Sequence, residues 1–193
     1  MTRILFVCTG NTCRSPMAES MLRHLAHERG VDVEVRSAGV SAWGDAPMSE
    51  HARSVLEKWK MSNEAFHSQG LASSTVAWAD LILTLTLGHK QHVLQRYPQA
   101  ADKVYTLKEY VSTDEGALMA QEQMHALIAE LQLKLAMGEQ PTPEEMRLLN
   151  QLQQQAPGTD IADPYGGSLE QYVQTAEDIK ESLQLLLDKL IKK

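Results

Sequence analysis

The chain has only two cysteines in 193 residues, Cys8 and Cys13, and both lie in one short stretch. Two thiols so placed build neither a disulfide framework nor a cysteine-rich zinc site. No apolar run approaches the roughly 20 residues of a membrane span, which excludes a spanning helix. No long basic stretch is present, and 18 basic against 25 acidic residues leave a net charge of −7. Nucleic acid and anionic membrane are therefore disfavoured as the main partners. No internal repeat is found. The first residues, "MTRILFVC", run straight into a strand pattern without the architecture of a signal peptide. A cytoplasmic protein with normally reduced thiols is the expectation.

What the chain does have is a 43% hydrophobic composition, enough for the core of one compact domain. Ile4 to Val7 form a continuous apolar run, the pattern of a strand buried on both faces. Pro16 suits the first turn of a helix; Met17, Met21, Leu22 and Leu25 recur at helical spacing, and Gly30 stops them. Val31, Val33 and Val35 alternate into a second strand that ends at Ser37-Ala38-Gly39. Further helices are predicted near 49–60, over 71–78 and over 88–97. "ADLILTLT" (79–86) reads as a third buried strand and "KVYTL" (103–107) as a fourth. A long amphipathic helix runs from Ser168, with Ser168 and Gln171 spaced as a capping box. Strand and helix in alternation imply an α/β fold of three layers, a parallel sheet flanked by helices on both faces.

The stretch "VCTGNTCRSPMAES" (7–20) puts a cysteine where the first strand stops and a helix begins. In α/β proteins that edge holds ligands. Cys8, five residues, Arg14 and Ser15 make the pattern C-x5-R-S, and chemistry on a phosphoryl group accounts for each part. A short loop at a helix N-terminus aims backbone N–H groups at one anion. The candidate phosphate-binding residues are Thr9, Gly10, Asn11, Thr12, Cys13 and Ser15. Gly10 would let the backbone turn without a Cβ clash, and Asn11 would tie the loop together. Arg14 offers a planar fork for two phosphate oxygens. The same positive field favours the thiolate of Cys8, the nucleophilic form, and the Ser15 hydroxyl can donate to that sulfur. A leaving group also needs a general acid. Asp163 in "DPYGG" (163–167) supplies one, held in an extended turn by the proline after it. The bland alternatives are a buried cysteine beside an incidental arginine, and a plain Asp-Pro turn.

These motifs, with "RSAGV" (36–40) and "ADLILTL" (79–85), resemble the low-molecular-weight protein-tyrosine-phosphatase family, over residues 1–111 and 159–193. The resemblance implies a four-stranded parallel sheet of flavodoxin-like order, no metal, no cofactor, and a two-step mechanism through a phosphocysteine. It implies Cys8 as nucleophile, Arg14 as phosphate clamp, Ser15 as thiolate stabiliser and Asn11 as loop holder. Asp163 is implied as acid in the first step and base in the second. His67 would match a histidine that braces the loop from outside. Phosphorylated proteins are the implied partners, with the chain a monomer. Thr12 stands where tyrosine-specific members carry a bulky aliphatic residue, and Gly166 where they tend to carry an aromatic one. Both features resemble the protein arginine phosphatase branch. A threonine hydroxyl suits a polar guanidinium, and Gly166 would leave the wall of the acid loop open. Cys13, in the same curled loop as Cys8, would trap an oxidised Cys8 as a disulfide, or else fills space as a small buried thiol.

Three rivals are weighed. A tyrosine phosphatase shares the chemistry. An arsenate reductase needs a further cysteine outside the loop, which is absent. A phosphocysteine carrier domain of a sugar transport system needs neither the acid nor Arg14. One region, about 112–162, falls outside the resemblance. Apolar residues at 124, 127, 128, 131 and 135 predict one helix over 117–137, ended by Gly138. Thr142, Pro143 and Glu145 predict the start of another over 143–155, broken by "APGTD" (156–160). A helical hairpin inserted before the acid loop, within one phosphatase domain spanning 1–193, is the expectation. It is a tolerated surface insertion, or a lid, docking arm or dimer contact.

Overall fold

The computed structural model describes residues 1–62, 65–156 and 158–192. In chain order the elements are β1 (Thr2–Cys8), α1 (Arg14–Glu28), β2 (Val33–Gly39), α2 (Glu50–Lys58) and α3 (Ser73–Trp78). Then come β3 (Leu81–Thr84), α4 (Leu87–Arg96), a 3-10 turn (Pro98–Lys103), β4 (Val104–Thr106) and α5 (Leu107–Val111). The last are α6 (Glu115–Ala136), α7 (Pro143–Gln155) and α8 (Leu169–Ile191). Pro157 and Lys193 lie outside the described residues, and with them part of the "APGTD" break and the last residue of the chain.

The residues group into two compact units, Met1–Val111 with Thr159–Lys193, and Ser112–Gly158. The first holds a four-stranded, all-parallel sheet in the order β2-β1-β3-β4. β1 is central and buried on both faces, which is why its apolar run is continuous rather than alternating. Ile4, Phe6 and Cys8 face one layer, where they meet Met17 and Met21 of α1, Leu56 of α2 and Ile179 and Leu183 of α8. Leu5 and Val7 face the other, against Val76 of α3 and Val93 of α4. α8 is capped by Ser168 and Gln171 in a capping box.

Some boundaries differ from the sequence expectation. The third strand covers Leu81–Thr84 only, because Ala79 caps α3, Asp80 is tied to Arg3 by its carboxylate, and Thr86 already caps α4. The third helix starts at Ser73 rather than Leu71, since the Leu71 N–H is bonded to the Gly39 carbonyl at the end of β2. The 3-10 turn and the five-residue α5 are too short to show a helical period in sequence.

The second unit consists of α6 and α7, with Leu127, Leu131 and Leu152 buried together and Met124 and Leu149 packed on them. Asp114 caps α6, and the Thr142–Glu145 capping box starts α7. Lys134 and Glu145 join the two helices in an ion pair. Among the described residues no helix is long and apolar enough to cross a membrane.

Candidate active site

β1 ends at Cys8, where it pairs with Gly39 of β2, while Val7 pairs with Thr84 of β3. α1 begins at Arg14, so residues 9–13 form a loop at the carboxyl edge of the sheet, in the crevice beside its central strand. The first turn of α1 carries no acidic residue, which leaves its N-terminus free to attract an anion. The loop lies in a cleft of about 360 Å³. Cys8, Thr9, Gly10, Thr12, Cys13 and Arg14 line it from below, Asp163 and Tyr165 from the later loop, and Trp43 and Ala46 from the loop after β2. Asn11 of the loop and Ser15 of α1 do not line the cleft and are fully buried.

The buried residues form a directed chain of hydrogen bonds. Glu19 accepts from the Ser37 hydroxyl through one carboxyl oxygen and pairs with Arg23 at 2.7 Å through the other. Burial pushes the Glu19 carboxyl up, against the Ser37 bond and the Arg23 charge. With its hydrogen given to Glu19, Ser37 accepts from the Asn11 amide at 2.8 Å. The second amide hydrogen of Asn11 goes to Ser15 Oγ, also at 2.8 Å. The hydrogen of Ser15 is thus left for Cys8 Sγ, 2.9 Å away. Cys8 Sγ also accepts from the Asn11 backbone N–H at 3.3 Å. Asn11 holds a left-handed φ of 54°, and its side-chain oxygen takes the Gln69 N–H at 2.8 Å.

The glycine that this packing requires is not Gly10. A Cβ on Gly10 would meet only Thr12 Oγ1, at an ordinary 3.6 Å. A Cβ on Gly39 would lie 2.5 Å from the Thr9 carbonyl oxygen and 3.0 Å from the Asn11 nitrogen. The clash-free approach falls on the neighbouring strand, because the loop folds back over the end of β2.

Arg14 is buried, and its guanidinium donates to the Ile161 carbonyl at 3.2 Å and to Asp163 Oδ2 at 2.7 Å. The other Asp163 oxygen accepts the Tyr165 N–H at 3.2 Å. Gly166 has φ 74° in a turn closed by the Gly167 N–H on the Pro164 carbonyl, so the backbone itself favours glycine there. It is Tyr165 that lines the cleft.

Cys13 and Cys8 are both free thiols. Cys13 Sγ donates to Ser49 Oγ at 3.3 Å and meets the Tyr172 hydroxyl of α8 at 3.2 Å. Burial, then the Cys13 contact, push the Tyr172 hydroxyl up to about 12, so it stays a donor. Thr12 is fixed through its carbonyl, which accepts the Ser49 N–H at 2.9 Å.

His67 does not brace the loop. Its ring pairs with exposed Asp45 at 3.2 Å. The backbone two residues on does that work, through the Gln69 N–H on Asn11. The histidine that touches the loop is His89 of α4, with Nε2 2.8 Å from Thr9 Oγ1. Sequence reasoning passed over His89, Ser37, Glu19, Ser49 and Tyr172. Glu19 and Ser37 lie within the stretches 7–20 and 36–40, but nothing local marks their bond to each other; His89, Ser49 and Tyr172 reach the loop from distant segments, and the one local hint is Thr86, spaced as the cap of the helix that carries His89. Among the described residues no cluster of three or more His, Cys, Asp or Glu could hold a metal ion.

The family model described as low molecular weight phosphotyrosine protein phosphatase matches residues 3–121. A protein-arginine-phosphatase of Geobacillus stearothermophilus is 35% identical over 191 residues, covering 99% of this chain and 95% of that protein. A protein-arginine-phosphatase of Bacillus subtilis is 34% identical over 190 residues, covering 98% and 97%. A solved structure of a mutant YwlE arginine phosphatase with a phosphorylated active-site serine superposes with a TM-score of 0.72 at 31% identity, covering 100% of this chain and 97% of that one.

Proposed function

Since the chain belongs to the low molecular weight phosphotyrosine protein phosphatase family, we propose that it is a protein arginine phosphatase working through a phosphocysteine. The observation that carries this reading is the convergence of Cys8, Thr12, Arg14 and Asp163 on one cleft. The full-length likeness to two protein-arginine-phosphatases supports it.

In the first step the Cys8 thiolate attacks phosphorus, the bond from phosphorus to the guanidino nitrogen breaks, and Asp163 gives that nitrogen its proton. The Arg14 fork and the loop amides hold the phosphoryl oxygens, and charge on them is stabilised at no cost in reorganisation. In the second step Asp163 takes a proton from water, the water oxygen attacks phosphorus, and the P–S bond breaks to return the thiolate and release phosphate. Ser15, with its hydrogen aimed at Cys8 Sγ, stabilises the thiolate in both steps. The substrates are phosphorylated proteins. The enzyme is read as a cytoplasmic monomer in which residues 112–162 are a helical insertion. Cys13 is read as the resolving thiol for an oxidised Cys8.

Thr12 sets the choice of substrate. Its hydroxyl suits the polar guanidino group of phosphoarginine, whereas isoleucine would pack on a phenol ring. The test is the ratio of kcat/KM for matched phosphoarginine and phosphotyrosine peptides, in wild type and Thr12→Ile. The wild type should favour phosphoarginine, and the substitution should move the ratio toward phosphotyrosine by about 2–3 kcal/mol. A wild type that prefers phosphotyrosine would make it a tyrosine phosphatase, a reading for which the aromatic walls Trp43 and Tyr165 would serve.

A further inference from the structure

The His89 ring spans two threonines. Nε2 lies 2.8 Å from Thr9 Oγ1 and Nδ1 lies 2.9 Å from Thr86 Oγ1. The Thr86 hydroxyl oxygen also accepts the His89 backbone N–H at 3.2 Å, which caps α4. That bond uses a lone pair of Thr86 and leaves its hydrogen to be placed. Among the described residues the acceptor facing that hydroxyl is His89 Nδ1. Taking Nδ1 as that acceptor gives the Thr86 hydrogen a partner, puts the ring proton on Nε2, and lets Nε2–H donate to Thr9 Oγ1. With a lone pair of Thr9 so engaged, its own hydrogen is turned away from His89. Thr9 lines the cleft beside Cys8 and Arg14, and its backbone is fixed there by the Ser41 N–H on its carbonyl at 3.0 Å.

We propose that His89 is a positioning residue that makes the Thr9 hydroxyl an added hydrogen-bond donor to the transferring phosphoryl group. This rests on the phosphatase reading given above. Burial keeps the ring neutral, pushing its pKa down to about 4; Arg14 and, more weakly, His92 act in the same direction, against the pulls of Asp163 and Asp160. Neutrality matters here. A protonated ring would donate from both nitrogens, reversing the Thr86 bond, and would place a second cation beside Arg14. A neutral ring passes one fixed donor to the cleft without adding a second cation beside Arg14. A donor held in place before the reaction is worth most where phosphoryl charge develops.

The test measures turnover of p-nitrophenyl phosphate and of a phosphoarginine peptide by wild type, Thr9→Val, His89→Ala, the double variant, His89→Gln and His89→Asn. Melting temperature is recorded for each. Thr9→Val and His89→Ala should each lower kcat/KM about tenfold, the scale of one hydrogen bond to a charged group, mainly in kcat. The double variant should be no worse than Thr9→Val alone, because His89 acts through Thr9. His89→Gln, whose amide N–H reaches the place of Nε2, should keep most of the activity, and His89→Asn, which stops short, should lose it. This amide pair repeats the comparison with two polar side chains should alanine weaken the fold. The proposal is overturned if the two single losses multiply in the double variant, if His89→Ala turns over like wild type, or if Gln and Asn behave alike. Wild-type turnover that survives Cys8→Ser would overturn the phosphatase reading, and this assignment with it.

Discussion

Arg14 Nη2 and Asp163 Oδ2 lie 2.7 Å apart across 149 residues of chain. The arginine is 5% exposed and the aspartate 51%, so the cation is fixed in the fold and the acid loop comes to it. The same guanidinium is the proposed phosphate clamp. On that proposal, a phosphoryl group that takes the fork would free the carboxyl to face the leaving group, coupling binding to placement of the acid.

Asp163→Asn keeps the size of the side chain and the turn bond from Tyr165 but can neither give nor take a proton. Turnover should fall by about 10²–10⁴. The loss should be larger for a phosphoarginine peptide than for p-nitrophenyl phosphate, whose leaving group departs with little help. Equal losses on the two substrates would remove Asp163 from the role of acid.

Gly39→Ala places a methyl group 2.5 Å from a carbonyl oxygen of the loop. It should destabilise the protein by about 1–3 kcal/mol and reduce activity by displacing Thr9 and Asn11. Gly10→Ala, with its nearest neighbour at 3.6 Å, should cost well under that. Urea midpoints of the two variants check the contrast, and a milder effect at Gly39 than at Gly10 would refute it.

His89 gives a signature in acid. Its folded value of about 4 lies below the 6.5 of an ordinary histidine. Between these values the unfolded chain binds more protons, so the stability held by the neutral ring is present above about 6.5 and is lost as pH falls toward about 4. The stability difference between wild type and His89→Gln should therefore change over that window and be constant above it. A difference that stays flat from neutral pH to about 4.5 would show that the ring is not held neutral.

The redox reading also has a direct check. Mild peroxide should inactivate the wild type, and a thiol reductant should restore it. In Cys13→Ser the inactivation should become harder to reverse, because the sulfenic acid on Cys8 has lost its resolving thiol. Mass spectrometry that finds no Cys8–Cys13 link after oxidation would count against this pairing.

Much of the frame was legible in the chain because local signals carried it. The unbroken run Ile4–Val7 marked the central strand, and Ser168 with Gln171 marked the start of α8. The C-x5-R-S stretch located the loop, since strand, loop and helix are consecutive there. What stayed hidden depends on pairing across the sheet. Gly10 looked like the required glycine because it lies in the loop, yet the tight approach is made by Gly39, which the parallel register brings opposite Cys8. His67 attracted attention by position, while His89 reaches Thr9 only because α4 starts at the carboxyl edge of β3, the strand beside β1.

Three partners of the first loop and of Arg14 arrive last when the chain is made. Ile161 and Asp163 hold Arg14, and Tyr172 holds Cys13. At roughly 5–20 residues per second, the ribosome takes on the order of ten seconds to travel from Arg14 to Asp163. A nascent chain halted anywhere in Ser112–Gly158 carries Cys8 and Arg14 but not Asp163, the proposed proton donor. Translation thus acts as a timer, and the enzyme is assembled only once its final helix can dock behind its first loop.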